Sequence, residues 1–104
     1  MTRKAKVFVD GEYAGILEEI IYKKLYKFSY LKDYEGFQVS LTMPTSQKEY
    51  LFEKFPPFFE GLLPEGIMLE ALLKKRKIDR DDCMSQLLVV GQDMIGNVTV
   101  EELL

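Results

Sequence analysis

The sequence contains no histidine and no tryptophan, and it has a single cysteine in 104 residues. Without His, the commonest general base and the commonest metal-binding side chain are both missing. Cys83 has no His partner to activate it. It falls on the apolar side of a predicted helix and reads as a buried structural thiol. One Cys excludes an internal disulfide and suits a reducing compartment. No apolar run approaches the roughly 18 residues of a membrane span. The opening Met1-Thr2-Arg3-Lys4-Ala5-Lys6 is basic, but alternating residues and Asp10-Gly11 follow, so no secretory signal core is read. Excess positive charge is lacking too: 14 Lys and Arg stand against 17 Asp and Glu, for a net charge of −3. Nucleic-acid binding usually runs on a basic face that releases counterions. The expectation is a cytoplasmic protein with no membrane segment, no direct nucleic-acid binding, no metal and no cofactor.

What is present is core material. Apolar residues make up 47% of the chain, with seven Phe and six Tyr. Folding a chain of this mass buries about 65% of its surface, enough for one domain over residues 1–104 without a metal or disulfides. Residues 4 to 9 alternate weakly, and Asp10-Gly11 suits a two-residue type I′ hairpin turn into Tyr13 to Leu17. Tyr26, Phe28 and Tyr30 predict a third strand. Phe37, Val39, Leu41 and Met43 alternate with polar residues and predict a half-buried fourth, stopped by Pro44. Residues 47 to 55 predict a short helix ending before Pro56-Pro57. Pro64 fits the first turn of a helix running to about Lys77, with Ile67, Met68, Ala71 and Leu72 on its apolar face. Asp79 suits the cap of another, with Cys83, Met84, Leu87 and Leu88 facing inward and Gly91 at its end. Val98 and Val100 begin a last strand. The expected fold is α+β, a mainly antiparallel sheet of about five strands with two to three helices. Val7, Val9, Phe28, Val39, Leu41, Leu72, Leu87 and Val98 are expected to be mostly buried.

Few residues offer chemistry. Glu18-Glu19 and Glu101-Glu102 lie on predicted strands, where neighbours point to opposite faces. Asp79, Asp81 and Asp82 suit helix capping. The run Lys74-Lys75-Arg76-Lys77 complements the carbonyl end of a helix, with a phosphate-binding patch as the alternative. Two segments fit a plain structural role less well. Phe58-Phe59-Glu60-Gly61-Leu62-Leu63-Pro64-Glu65-Gly66 packs four large apolar residues among Pro and Gly at element ends, where loops carry contacts. Gly91-Gln92-Asp93-Met94-Ile95-Gly96-Asn97 reads as a helix stop and a turn.

On these segments the sequence resembles the N-terminal subdomain of HipA-type serine/threonine kinase toxins. The resemblance rests on the 58–66 block, on Leu41-Thr42-Met43-Pro44 upstream, and on Leu87-Leu88, Gly91-Gln92-Asp93 and Gly96-Asn97-Val98 downstream. Gly11 and Gly15 in the hairpin also fit. In HipA-like proteins a kinase body follows this subdomain; here the chain stops at Leu104. The Gly-rich phosphate loop, the catalytic-loop Asp and Asn and the magnesium-binding Asp are all absent, so the chain is expected not to be an enzyme. The arrangement is similar to split HipBST systems, in which a short HipS-like protein is the antitoxin, HipT the kinase toxin and HipB a helix-turn-helix DNA-binding protein. The resemblance implies an antitoxin that binds and neutralises a HipT-like kinase, with a HipB-like protein as a possible third member. A subunit that activates or completes a split kinase is the alternative, and a DNA-binding accessory using Lys74 to Lys77 ranks below both. Phe58, Phe59, Glu60, Leu62, Leu63, Pro64, Glu65, Gly66, Ile67 and Met68 are the expected partner-binding residues. Family members often carry a bulky aromatic such as Trp after the Pro-Glu-Gly; this chain has Ile67 there.

Overall fold

Alternation of side chains builds the first hairpin. The structure, a computed structural model, describes residues 2–92 and 96–103. In β1 (Arg3–Val9), Ala5, Val7 and Val9 are buried while Lys4, Lys6 and Phe8 take the other face. Asp10 and Gly11 both have positive φ, 51° and 83°, as a type I′ turn requires. The chain returns antiparallel as β2 (Glu12–Ile21). Next come β3 (Leu25–Tyr30), β4 (Glu49–Phe52), α1 (Pro57–Glu60), α2 (Gly66–Arg76), α3 (Cys83–Val90) and β5 (Val98–Leu103). All strand pairs are antiparallel, in the order β4-β3-β2-β1-β5. Among the described residues the fold is α+β, with a five-stranded antiparallel sheet and three helices.

The core lies between one sheet face and helices α1 and α3. Val7, Leu17, Phe28 and Val100 from the sheet meet Phe59, Met84 and Leu87 from the helices, all essentially inaccessible to water. Along the opposite face, unlike charges sit across from one another: Lys4 opposite Glu18, Glu18 opposite Lys27, and Lys6 opposite Glu101. Such cross-strand pairs let that face remain in water.

α3 is locked onto the sheet at both ends. At its start, the Asp82 carboxylate accepts from the Ser85 amide at 3.2 Å and from the Ser85 hydroxyl at 2.7 Å. Arg3 reaches across from β1 to the same carboxylate at 2.9 Å and to buried Glu19 at 2.7 Å. Burial alone would raise the Asp82 carboxyl, but its hydrogen bonds from Arg3 and Ser85 outweigh this and hold it below the ordinary value. At the far end the Gly91 carbonyl accepts from the Val100 amide at 2.9 Å.

Several expectations are corrected. Residues 37–43 do not form a strand; Val39 and Met43 are buried, but Phe37 and Leu41 are exposed. Tyrosine hydroxyls take the backbone groups a strand ladder would have used. Tyr30 accepts from the Val39 amide at 2.8 Å and donates to the Met43 carbonyl, and Tyr34 donates to the Phe37 carbonyl at 2.5 Å. Ser40 turns the chain, since its carbonyl accepts from the Met43 amide and its side chain from the Thr42 amide. The fourth strand is instead β4, inside the expected helix at 47–55. Its Tyr50 and Phe52 line up with Phe28 and Tyr26 on the core side, completing the open edge of β3. The Gln47 side chain donates to the Glu49 carbonyl at 2.7 Å and blocks part of the new edge. The cap of α3 is Asp82, not Asp79, so that helix starts later. Gly91 is in right-handed geometry. Glycine is required there because a Cβ would lie 2.3 Å from the Val100 carbonyl oxygen. Leu72 and Cys83 are half-buried, not buried. Asp93, Met94 and Ile95 of the expected turn lie outside the described residues.

Candidate functional site

The segment from Phe58 to Met68 divides into a buried root and an exposed tip. Pro57 occupies the first turn of α1, where its missing N–H leaves no bond unmade. Phe59 points straight into the core, with its ring 5.9 Å from that of Phe28. Phe58 packs edge-on against it at 5.2 Å and is half-buried. Leu62 and Leu63 are also half-buried and pack on the core from its rim. The Leu62 and Leu63 amides donate to the Phe59 and Glu60 carbonyls in tight turns. Pro64 is half-buried, and Glu65 then extends as the cap of α2 without a side-chain capping bond. Gly66 has φ +59°, a left-handed geometry that costs any residue with a Cβ about 1–2 kcal/mol.

Beyond Gly66 the segment enters water. Ile67 is 87% exposed and Met68 71%. Glu60 and Glu65 are exposed too. Neither makes an ion pair among the described residues. The expected residues thus fall into three groups. Phe59 lies beneath the face, Phe58, Leu62, Leu63 and Pro64 form its shoulder, and Glu60, Glu65, Gly66, Ile67 and Met68 stand at the surface. α2, which carries the tip, buries none of its residues. Its half-buried Leu69, Leu72 and Leu73 face one way, and an exposed stripe faces the other.

Beside the shoulder lies a cleft of about 150 Å³, lined by Thr42, Met43, Phe52, Pro56, Pro57 and Phe58. Small-molecule sites usually span about 300–1,000 Å³; this cleft has the volume of one apolar side chain. Cys83 is half-buried nearby, and its thiol is pushed up by burial and then by the Glu60, Asp82 and Asp81 carboxylates. A raised thiol is a poor nucleophile near neutral pH. The Asp79–Asp82 cluster is occupied by ion pairs, Asp82 with Arg3 and Asp81 and Asp79 with Lys23. No grouping of acidic, His or Cys side chains that could hold a metal occurs among the described residues, and no helix among them is long and apolar enough to cross a membrane. What the Phe58–Met68 segment and α2 offer is contact chemistry: apolar area, the exposed Glu60 and Glu65 carboxylates and a basic run.

Residues 5–101 match the HipA N-terminal domain family. The chain belongs to that family. A protein of Haemophilus influenzae, described only as uncharacterized, is 34% identical over 102 residues, covering 98% of this chain and 94% of the relative. A solved structure, described as the N-terminal domain of HipA toxin, superposes with a TM-score of 0.76 at 32% identity. It covers 98% of this chain and 93% of that one.

Two features of this HipA N-terminal domain escape sequence reasoning. Phe37 and Leu41 are exposed because tyrosine hydroxyls from β3 and its flanks hold their loop by its backbone, and alternation alone carries no trace of that. The Arg3–Glu19–Asp82 network left a fainter signal. Glu19 shares strand parity with Leu17, so its inward direction was predictable from the period of two, and Arg3 sits opposite it in the register.

Proposed function

We propose that this HipA N-terminal domain binds a HipT-like serine/threonine kinase and neutralises it as an antitoxin, through contacts centred on Phe58 to Met68. One observation carries the reading: α2 leads with Ile67 and Met68 in water, on a helix that fully encloses none of its residues. Large apolar side chains gathered at an element end, rimmed by charge, are the usual form of an interaction site. A stable complex needs about 1,000 Å² of total buried surface with a few well-packed anchors. Phe58, Leu62 and Leu63 supply a firm shoulder, and Ile67 and Met68 supply anchors. Family membership points to a kinase as the surface these anchors meet. The chain itself acts by binding and transfers no phosphate.

Glu60→Lys and Glu65→Lys provide the test, because both positions are exposed and a folded variant is expected. With melting temperature unchanged, affinity for a HipT-like kinase from the same genome should fall by up to about 1 kcal/mol for a rim contact, rising to about 2–5 if the charge is buried on binding. Co-expression with the kinase supplies the second readout. Relief of kinase toxicity supports neutralisation, and increased toxicity would replace it with the activating subunit. Folded variants that bind and neutralise as well as the parent would move the interface elsewhere.

A further inference from the structure

The exposed side of α2 has a pattern that the Phe58–Met68 block does not use up. Successive helical residues turn by 100°, which places Ile67, Met68, Ala71, Lys74 and Lys75 on one stripe. All five are exposed. The stripe is apolar over its first turns and basic at its end. Arg76, the last residue of the helix, and Lys77, its cap, extend the positive charge around the helix terminus, in a chain whose net charge is −3. None of these four cations makes an ion pair among the described residues. Leu69, Leu72 and Leu73 take the inward side, so α2 has two apolar faces and the domain covers only one, and that in part.

Cations near a helix C-terminus complement its carbonyls wherever they stand around the axis. That effect does not explain an apolar row leading up to them on the same side. A nucleic-acid backbone would satisfy the cations but leave Ile67 and Met68 unused. A protein groove with an apolar floor and an acidic end uses both halves of the stripe, in the helix-in-groove manner.

Resting on the kinase-binding reading above, we propose that the partner kinase receives α2 lengthwise in such a groove. Ile67, Met68 and Ala71 enter the apolar part. Lys74 and Lys75 meet carboxylates about 10–12 Å along the axis from Ile67, the distance set by a rise of about 1.5 Å per residue. The basic end steers the encounter and the apolar end holds the complex.

The experiment compares the intact chain with two double variants, Lys74→Gln/Lys75→Gln and Ile67→Ser/Met68→Ser. Gln keeps helix propensity and avoids placing negative charge beside the helix carbonyls. Circular dichroism melts first establish that both variants fold. Association and dissociation rates with the HipT-like kinase are then measured at about 50 mM and 300 mM salt. The lysine variant should associate several-fold to tenfold more slowly at low salt, with the difference shrinking at high salt as screening sets in. The apolar variant should dissociate at least tenfold faster, with little salt dependence. Equal association rates for the parent and the lysine variant at both salts would overturn the acidic groove while leaving kinase binding intact. Failure of the parent itself to bind would overturn kinase binding and the groove together. Loss of affinity for a generic DNA duplex in the lysine variant, with kinase rates unchanged, would assign the run to nucleic acid instead.

Discussion

Helices α2 and α3 are neighbours in sequence and look alike there, yet the fold treats them oppositely. Each has an apolar row at helical spacing. α3 lies on the sheet, buries Met84, Gln86 and Leu87, and is pinned by Arg3 at one end and by Val100 at the other. α2 is longer and encloses none of its residues fully; Leu69, Leu72 and Leu73 are only half-buried. Its ties beyond the backbone include an exposed ion pair from Glu70 to Arg80 at 2.6 Å. Helical periodicity shows that a helix has something to bury, but not whether the partner surface belongs to the same domain. α3 found its partner in the sheet, whereas the outer stripe of α2 stays in water, and it is there that we propose another molecule meets the domain.

The contrast can be broken most severely from the α3 side. Leu87→Ala, at a fully buried position, should destabilise the domain by about 2–5 kcal/mol, read as a fall in the denaturant midpoint. A loss below about 1 kcal/mol would mean that α3 is not the structural helix described.

Arg3→Met comes next. It leaves Glu19, only 3% exposed, without its cation, and uncoupling a buried pair costs about 3–5 kcal/mol. Because Arg3 keeps about a quarter of its surface in water, a loss of about 2–4 kcal/mol is expected. The same variant carries a pH signature. Asp82 has its carboxyl lowered in the folded state. The stability this gives is therefore present above the ordinary carboxylate value of about 3.8 and is lost as pH falls through the lower, folded value. The parent should lose stability over that acid window, and Arg3→Met should lose less. Equal acid dependence in the two proteins would detach Asp82 from Arg3.

A smaller effect is expected at the root of α2. Gly66→Ala places a Cβ on a residue at φ +59° with open space around it, so the penalty is backbone strain alone, about 1–2 kcal/mol. Its melting temperature should fall modestly. Partner affinity should fall by more than that if the geometry at Gly66 aims Ile67 and Met68.

Least of all should the tip matter to folding. Ile67→Ser/Met68→Ser should change stability by no more than about 0.5 kcal/mol, the usual range for surface positions, while abolishing tight binding to the kinase. A loss comparable to that of Leu87→Ala would erase the difference between the two helices.

Local chemistry was legible without coordinates wherever a residue type has one strong preference. Asp10-Gly11 marked the first hairpin because two consecutive left-handed residues leave few alternatives. β1, β3 and β5 announced themselves by β-branched and aromatic residues at a period of two. The apolar residues after Pro64 marked α2, but the proline itself stands before the Glu65 cap and not in the first turn, so the helix starts two residues later, at Gly66. The 58–68 block could be singled out, but its division into root and tip could not. Phe58 and Phe59 are the same residue type, and only the position of Phe28 beneath the helix decides that Phe59 is the one enclosed.

Sequence by itself therefore determined the α+β class, the hairpin, most strand positions, the two longer helices and the absence of a histidine-based site. Those follow from backbone preferences and composition, which act over a few residues. Tertiary structure decided the rest. Residues 37–43 alternate as well as any strand here, but the edge beside β3 went to Glu49–Phe52, and tyrosine hydroxyls bonded the displaced segment as a loop. Gly91 was placed correctly for the wrong reason, because the close approach of Val100 is invisible until β5 returns beside α3. The open face of α2 was set in the same way. Which side of a helix stays in water depends on surfaces far away in the chain, and no periodicity within the helix encodes their position.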